Sequence, residues 1–336
     1  MEYRKLGASG LKVSPICLGT MMFGERTDAA EAGRIVDSGR AAGVNFVDTA
    51  DAYAKGESER VLGKLLAADR AQWVVATKVG NPMGKGPNDR GLSRAWLMRA
   101  IDASLERLNM DYVDIYYLHI DDPETPIEET LVAMDDIIGA GKARYFGISN
   151  YRAWRIAQIA ELCAGMGVTA PIVCQPYYNA MNRMPETEIL PACSNYGLGV
   201  VPYSPLARGV LTGKYAPGVA PPADSRAARK DKRMMETEFR EESMLMAQKI
   251  KAHADKRGMS AGQFALNWVL NNRIVTSVLA GPRTFEQWTE YLGALEHRFT
   301  AEDEALVDSM VKGGHPSTPG YNDPRYSIDG RPVYTG

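Results

Sequence analysis

Eight short runs rich in β-branched and aromatic residues recur along the chain, each followed by helix patterning or a helix-start signal. They span 16–19, 45–47, 73–77, 112–118, 143–148, 171–174, 198–202 and 275–279. Strands that alternate with helices make a parallel sheet, because parallel neighbours need a crossover long enough to hold a helix. No Pro-, Gly- and Ser-rich linker splits the 336 residues. Eight units in that length fit one closed (β/α)8 TIM barrel over 1–336. The competing doubly wound sheet usually carries G-x-G-x-x-G after its first strand when it binds a dinucleotide. Neither that motif nor G-x-x-x-x-G-K-[ST] occurs.

Gly7 to Gly10 is a turn signal, so residues 3–14 are expected to form a β-hairpin ahead of the barrel. Asp28 with Glu31, Thr125-Pro126 with Glu128, Ser260 with Gln263, and Thr284 with Gln287 read as helix starts, three of them capping boxes. Over 93–108, Leu97, Ala100, Ile101, Ser104, Leu105 and Leu108 share one face at helical spacing, which predicts a helix packed on a sheet. Further helices are expected at 58–68, 186–196, 241–257 and 301–311. Residues 80–91 form a long loop at a strand's exit, which usually belongs to a binding site, and 213–232 is a loop dense in Pro, Ala, Arg and Lys. The tail 314–336 is rich in Pro, Gly and Tyr and is a candidate cover for the barrel mouth.

Four residue types with chemistry stand at or just past strand ends: Asp48, Tyr53, Lys78 and His119. Parallel-sheet enzymes place their active sites there. Reducing a carbonyl by hydride transfer builds charge on its oxygen, and a proton donor must meet it. Tyr53 is the natural donor. A phenol titrates near pH 10, so an ammonium at Lys78 is expected to lower it. Asp48 would keep Lys78 charged and in place, and His119 could donate a hydrogen bond to the carbonyl.

In order and approximate spacing, these four residues match the catalytic tetrad of the aldo-keto reductases, and the chain resembles that family from about Tyr3 to about Lys312. The resemblance implies catalytic roles for Asp48, Tyr53, Lys78 and His119, with Tyr53 as acid in reduction and base in oxidation. It implies a cofactor site of Gly19, Thr20, Met21 and Asp48 with Ser149, Asn150 and Gln175 on the nicotinamide carboxamide, and Tyr203 stacked on the ring. Ser204, Pro205, Leu206, Arg208, Lys214 and Arg226 match the pyrophosphate loop and its covering segment. Gly281 and Arg283 precede a helix N-terminus, where Arg283 would pair with a ribose 2′-phosphate and select NADP(H). Gln287, Glu290 and Tyr291 match the adenine end, Tyr291 standing where relatives often have Asn. The overall pattern also resembles potassium-channel β subunits, which carry Asn at the position of His119, whereas steroid double-bond reductases of the family carry Glu. His119 therefore points to ordinary aldehyde or ketone reduction, without a metal, over a regulatory cofactor-binding subunit with little turnover. Met21, Met22, Phe23, Tyr53, Met83, His119, Tyr321 and Tyr326 are the candidate substrate walls.

A net charge of −2 provides no bulk footprint for nucleic acid or an acidic membrane. Cys17, Cys163, Cys174 and Cys193 form no C-x-x-C pair and no metal spacing, which suits buried thiols in a reducing compartment. The N-terminus lacks a secretory h-region and no apolar run approaches a membrane span, so a cytoplasmic protein acting on a small carbonyl compound is expected. Homo-oligomerisation is left open.

Overall fold

The computed structural model describes residues 1–326. β1 (Arg4–Lys5) and β2 (Lys12–Val13) pair antiparallel as the hairpin. Eight parallel strands follow: β3 (Ile16–Gly19), β4 (Phe46–Asp48), β5 (Val74–Val79), β6 (Val113–Leu118), β7 (Ala143–Ser149), β8 (Val173–Gln175), β9 (Gly199–Val200) and β10 (Val278–Ala280). They pair in chain order, and β10 returns to β3. A bridge between Val200 and Val275, with Leu279 N–H donating to Pro202 O at 3.0 Å, joins the remaining edges and closes the (β/α)8 barrel.

A strand's side chains alternate between its two faces, and the core accordingly has two layers. Cys17, Phe46, Val74, Ala76, Ile115, Tyr117, Val173 and Val201 fill the barrel interior. Ile16, Leu18, Val47, Val75, Tyr116, Phe146 and Cys174 point outward into the helices. The hairpin plugs the N-terminal end: Leu6 is buried in the interior cluster, and Ala8 N–H reaches Gly197 O at 2.7 Å. Gly7 makes this possible at φ +57°, since a Cβ there would lie 2.5 Å from Gly197 O.

Ser93 caps Arg94–Leu108 through Trp96 N–H at 3.3 Å, and Asn109 ends that helix at left-handed φ 52°. Ser260/Gln263 forms the full expected box. Two boxes were read too generously. Asp28 caps Ala29–Ala41, but the Glu31 side chain accepts from Phe285 N–H at 2.6 Å instead of closing the box. Pro126, not Thr125, is the N-cap of Ile127–Gly139, because the Thr125 hydroxyl is taken by Asp122 at 2.7 Å. The helix expected over 186–196 is a short 3₁₀ turn, Met184–Glu186, and then Ile189–Asn195. The last strand begins at Val278 and not at 275, since Val275 forms the closing bridge.

Beyond the final helix, Ala301–Met310, the chain runs back across the C-terminal face of the barrel. His315 O accepts from Arg183 N–H at 3.1 Å, Ser317 meets Ser243 at 2.8 Å, and Asp323 pairs with Arg233 at 2.6 Å. Residues 327–336 of the expected cover lie outside the described residues. Among the described residues, no helix is long and apolar enough to cross a membrane. All four cysteines are free and buried.

Candidate active site

The two-residue period that fills the barrel also aims its polar groups. Asp48 follows Phe46 by two, Lys78 follows Ala76, His119 follows Tyr117, Gln175 follows Val173 and Tyr203 follows Val201. Each therefore continues the inward face at the C-terminal end of its strand. Asp48 and Lys78 are fully buried and ion-paired. Lys78 Nζ also donates to Thr49 O at 2.7 Å and to the Tyr53 hydroxyl at 3.1 Å, so all three ammonium protons are placed. Gln175 Nε2 donates to the other Asp48 oxygen at 3.0 Å.

Tyr53 opens a turn, Tyr53–Gly56, in which Ala54 and Lys55 take left-handed φ of 48° and 55°. Non-glycine residues there are strained, and such strain collects at functional sites. The turn lays the Tyr53 ring edge-on to His119, with centroids 5.9 Å apart. Asn81 Nδ2 lies 2.9 Å from His119 Nδ1. With the amide as donor, Nδ1 accepts and a neutral imidazole carries its proton on Nε2. Burial holds His119 well below its usual range, helped by the charges of Lys78 and Arg325, so the ring is neutral at physiological pH.

The expectation for Tyr53 needs correcting. Burial raises its hydroxyl above the ordinary phenol value, and the opposing pull of Lys78 does not overcome this. Asp48 and Asp51 push in the same direction as burial. The phenol therefore keeps its proton and stands as a donor. Burial pulls Lys78 down, but the Asp48 carboxylate and Tyr53 outweigh it and keep the ammonium.

A cleft of about 610 Å³ opens over this group, within the usual size of a ligand site. Tyr53, Asn81, His119 and Arg325 cluster at one end, and Arg26, Lys214, Arg226, Arg229, Arg283 and Gln287 at the other; Gly19, Met21 and Met22 line it as well. Asp48, Ser149, Asn150, Gln175, Tyr203, Ser204, Pro205, Leu206, Arg208, Gly281, Glu290 and Tyr291 also line it. Five residues expected at the cofactor or substrate site do not. Thr20 is buried and hydrogen-bonded to Asp48 O at 3.1 Å. Phe23 is fully buried in the outer core, so it is no substrate wall. Met83 packs against that same core. Tyr321 turns outward, its ring against Arg240 and its hydroxyl on Glu236 O at 3.0 Å. Tyr326 is half-buried in the tail beside Tyr203 and is not among the lining residues.

The sequence model of the Aldo/keto reductase family matches residues 15–312. The chain belongs to the aldo/keto reductase family. It is 41% identical over 329 residues to a probable voltage-gated potassium channel subunit beta of Oryza sativa subsp. japonica, covering 96% of this chain and 100% of that one. It is 36% identical to the uncharacterized oxidoreductase YrpG of Bacillus subtilis, over 95% and 98% of the two chains. It is 36% identical to the L-glyceraldehyde 3-phosphate reductase of Escherichia coli O157:H7, over 94% and 93%.

Aldo-keto reductases typically use a nicotinamide cofactor, and the cleft of this family member suits one. Burial pulls Lys214 down, and Arg283, Arg226 and Arg229 crowd it further. Lys214 has no ion-pair partner of its own among the described residues, and its ammonium in the cleft suits an anion such as a pyrophosphate. Ser204, Ala207 and Arg208 hold left-handed φ of 57°, 47° and 53°, the loop geometry that turns backbone amides toward a ligand. Tyr203 lines the same cleft, its hydroxyl donating to Asn150 Oδ1 at 2.7 Å.

Several supports escaped the sequence reading. Buried Glu238 accepts from Tyr177 at 2.8 Å and Arg208 at 3.1 Å, fixing the cationic loop. It lies on no periodic face near either partner in sequence, so no local signal marks it. Asn81 had one: it is polar and immediately past a strand end.

Asp51 was also overlooked. It is 1% exposed, neither carboxylate oxygen has a well-formed partner among the described residues, and its nearest help is the Ala52 backbone N–H. Burial and then Glu59 push it up to about 7, against Ala52, Arg107 and Lys78. An acid raised in the folded state binds its proton longer than in the unfolded chain. Stability should therefore fall as pH rises from about 4 to about 7, by about 4 kcal/mol at most. Asp51→Asn is expected to raise the melting temperature at pH 8 clearly more than at pH 5. An equal shift at the two values would show that the carboxylate carries no such penalty.

Proposed function

We propose that the chain is an NADP(H)-dependent carbonyl reductase of the aldo/keto reductase family, reversible, with Tyr53 as general acid in reduction and general base in alcohol oxidation. The observation that carries this reading is the Lys78 ammonium 3.1 Å from the Tyr53 hydroxyl, with His119 against the same ring, at one end of a cleft whose other end is cationic. When bound, the cofactor supplies the hydride. Tyr53 gives its proton to the developing oxyanion, and the Lys78 ammonium stabilises the phenolate left behind. Asp48 holds Lys78 in place. His119 Nε2–H orients the carbonyl, and its neutrality leaves the acid role to Tyr53. Ser149, Asn150 and Gln175 would hold the carboxamide, Tyr203 the ring face, Arg208, Lys214 and Arg226 the pyrophosphate, and Gln287, Glu290 and Tyr291 the adenine end. The substrate is a small aldehyde or ketone in the cytoplasm, a setting that four buried free thiols suit. Loss of the nicotinamide absorbance of NADPH with an activated aromatic aldehyde tests the reading directly.

Arg283 is the residue proposed to select NADP(H). It is ion-paired to Asp224, whose carboxyl it holds below the usual range, across the mouth of the cationic end. A 2′-phosphate would take over this guanidinium as a bidentate partner. Arg283→Ala is expected to raise KM for NADPH at least tenfold, the scale of one charge-assisted hydrogen bond. KM for NADH should change much less. Equal effects on both cofactors would refute the 2′-phosphate role.

A second reading is a cofactor-binding regulatory subunit with little turnover. The name of the 41%-identical rice relative supports it. Tight NADPH binding with no turnover across a panel of carbonyl compounds would decide in its favour.

A further inference from the structure

Most cations around the cleft have a carboxylate partner. Arg208 pairs with Glu238, Arg226 with Asp231, Arg229 and Arg283 with Asp224, and Arg233 with Asp323. Among the described residues, the guanidinium of Arg325 has no hydrogen-bond or ion-pair partner, although it lines the cleft with His119, Asn81 and Tyr53. It is close enough for its charge to weigh on both His119 and Tyr203. The other unpaired cations, Arg26 and Lys214, act on Asp224 and beside Arg283, toward the opposite end.

The backbone that presents Arg325 is fixed. Arg325 N–H donates to Asp323 Oδ1 at 2.8 Å, and Tyr326 N–H donates to Asp323 O at 2.8 Å. Asn322 Nδ2 reaches Tyr326 O at 2.6 Å. Asp323 is 1% exposed and tied to Arg233 at 2.6 Å, which anchors the turn to the barrel. The side chain beyond this anchored turn is exposed and keeps its planar fork of donors free. A free guanidinium beside the group that orients the carbonyl fits an anion carried on the substrate itself.

We propose that Arg325 is a specificity residue that selects carbonyl substrates bearing a carboxylate or phosphate near the reacting carbon. The inference rests on the carbonyl-reductase reading and names its substrate class. The fork would bind the anion in bidentate fashion while His119 and Tyr53 meet the carbonyl oxygen. Charge, not the remainder of the molecule, is what the site recognises.

The test compares wild type, Arg325→Ala and Arg325→Lys at saturating NADPH with 4-nitrobenzaldehyde, 4-formylbenzoate, glyceraldehyde and glyceraldehyde 3-phosphate. The quantity read is the ratio of kcat/KM for each anionic compound to that for its neutral counterpart. Arg325→Ala is expected to lower that ratio about 10- to 100-fold, mainly through KM, the scale of charge-assisted hydrogen bonds. Arg325→Lys should recover part of it, since the charge returns without the fork. The arm that falls further identifies carboxylate or phosphate as the preferred anion. A ratio unchanged in both pairs overturns the proposal. A second measurement separates this result from failure of the reductase reading: calorimetric titration of benzoate and of inorganic phosphate into the NADPH complex. Weaker binding of either anion to Arg325→Ala than to wild type supports the anion site even if no carbonyl is turned over. Equal binding of both anions in that case overturns it.

Discussion

Tyr53→Phe is expected to lower kcat/KM for carbonyl reduction by about 10²- to 10⁴-fold, the usual worth of a positioned general acid. The variant keeps the ring, its edge contact with His119 and the turn that carries it. It loses only the hydroxyl 3.1 Å from Lys78 Nζ. NADPH affinity, followed by quenching of tryptophan fluorescence, should stay within about threefold of wild type, because the contacts proposed for the dinucleotide lie elsewhere. The neighbouring charges give the reaction its pH dependence. Burial raises Tyr53, so the free enzyme keeps the donor proton through neutral pH, and reduction should fade only on the alkaline side. A Phe variant as active as wild type would remove Tyr53 from the chemistry and send the search to His119.

Lys78→Met should be the most destabilising change at the site, costing about 3–5 kcal/mol, because it leaves a buried carboxylate without its countercharge. Asp48 is fully buried, and Gln175 Nε2 at 3.0 Å would be its remaining side-chain donor. Burial already raises the Asp48 carboxyl against the pull of Lys78, so the loss falls on a group with little reserve. Adding Asp48→Asn removes the stranded charge. The double variant should therefore be more stable than Lys78→Met alone while remaining inactive. Urea unfolding of wild type, both single variants and the double closes the cycle. A double variant no more stable than Lys78→Met would mean that solvent or another cation compensates Asp48.

Much of the barrel could be read because each strand carried its own apolar pattern and its own punctuation. Ser260 sits directly before a periodic helix and its capping box formed where expected, and the helix expected from 93 is capped by Ser93. Local reading failed where a distant group competed for the same atom. Glu31 went to Phe285 and not back to its own cap. The Thr125 hydroxyl went to Asp122. Phe23 looked like a pocket aromatic because it follows the first strand closely, yet the chain folds it into the helix-facing core. Arg283 and Asp224 meet across 59 residues, and no spacing rule links them.

The order Asp48, Tyr53, Lys78, His119 at successive strand ends was fixed by the chain itself, since where a strand stops depends on its neighbours in sequence. That they look into one cleft was decided by closure of the sheet. Closure turns the inner faces of all the strands toward a common axis, and their parallel direction brings their C-terminal ends to one mouth. The protonation states also had to wait for the fold. The sequence places a lysine near a phenol in order, but whether the ammonium or desolvation prevails depends on how deeply both are buried. Burial is a property of the packed molecule, because surface is removed from water only by residues that arrive from elsewhere in the chain.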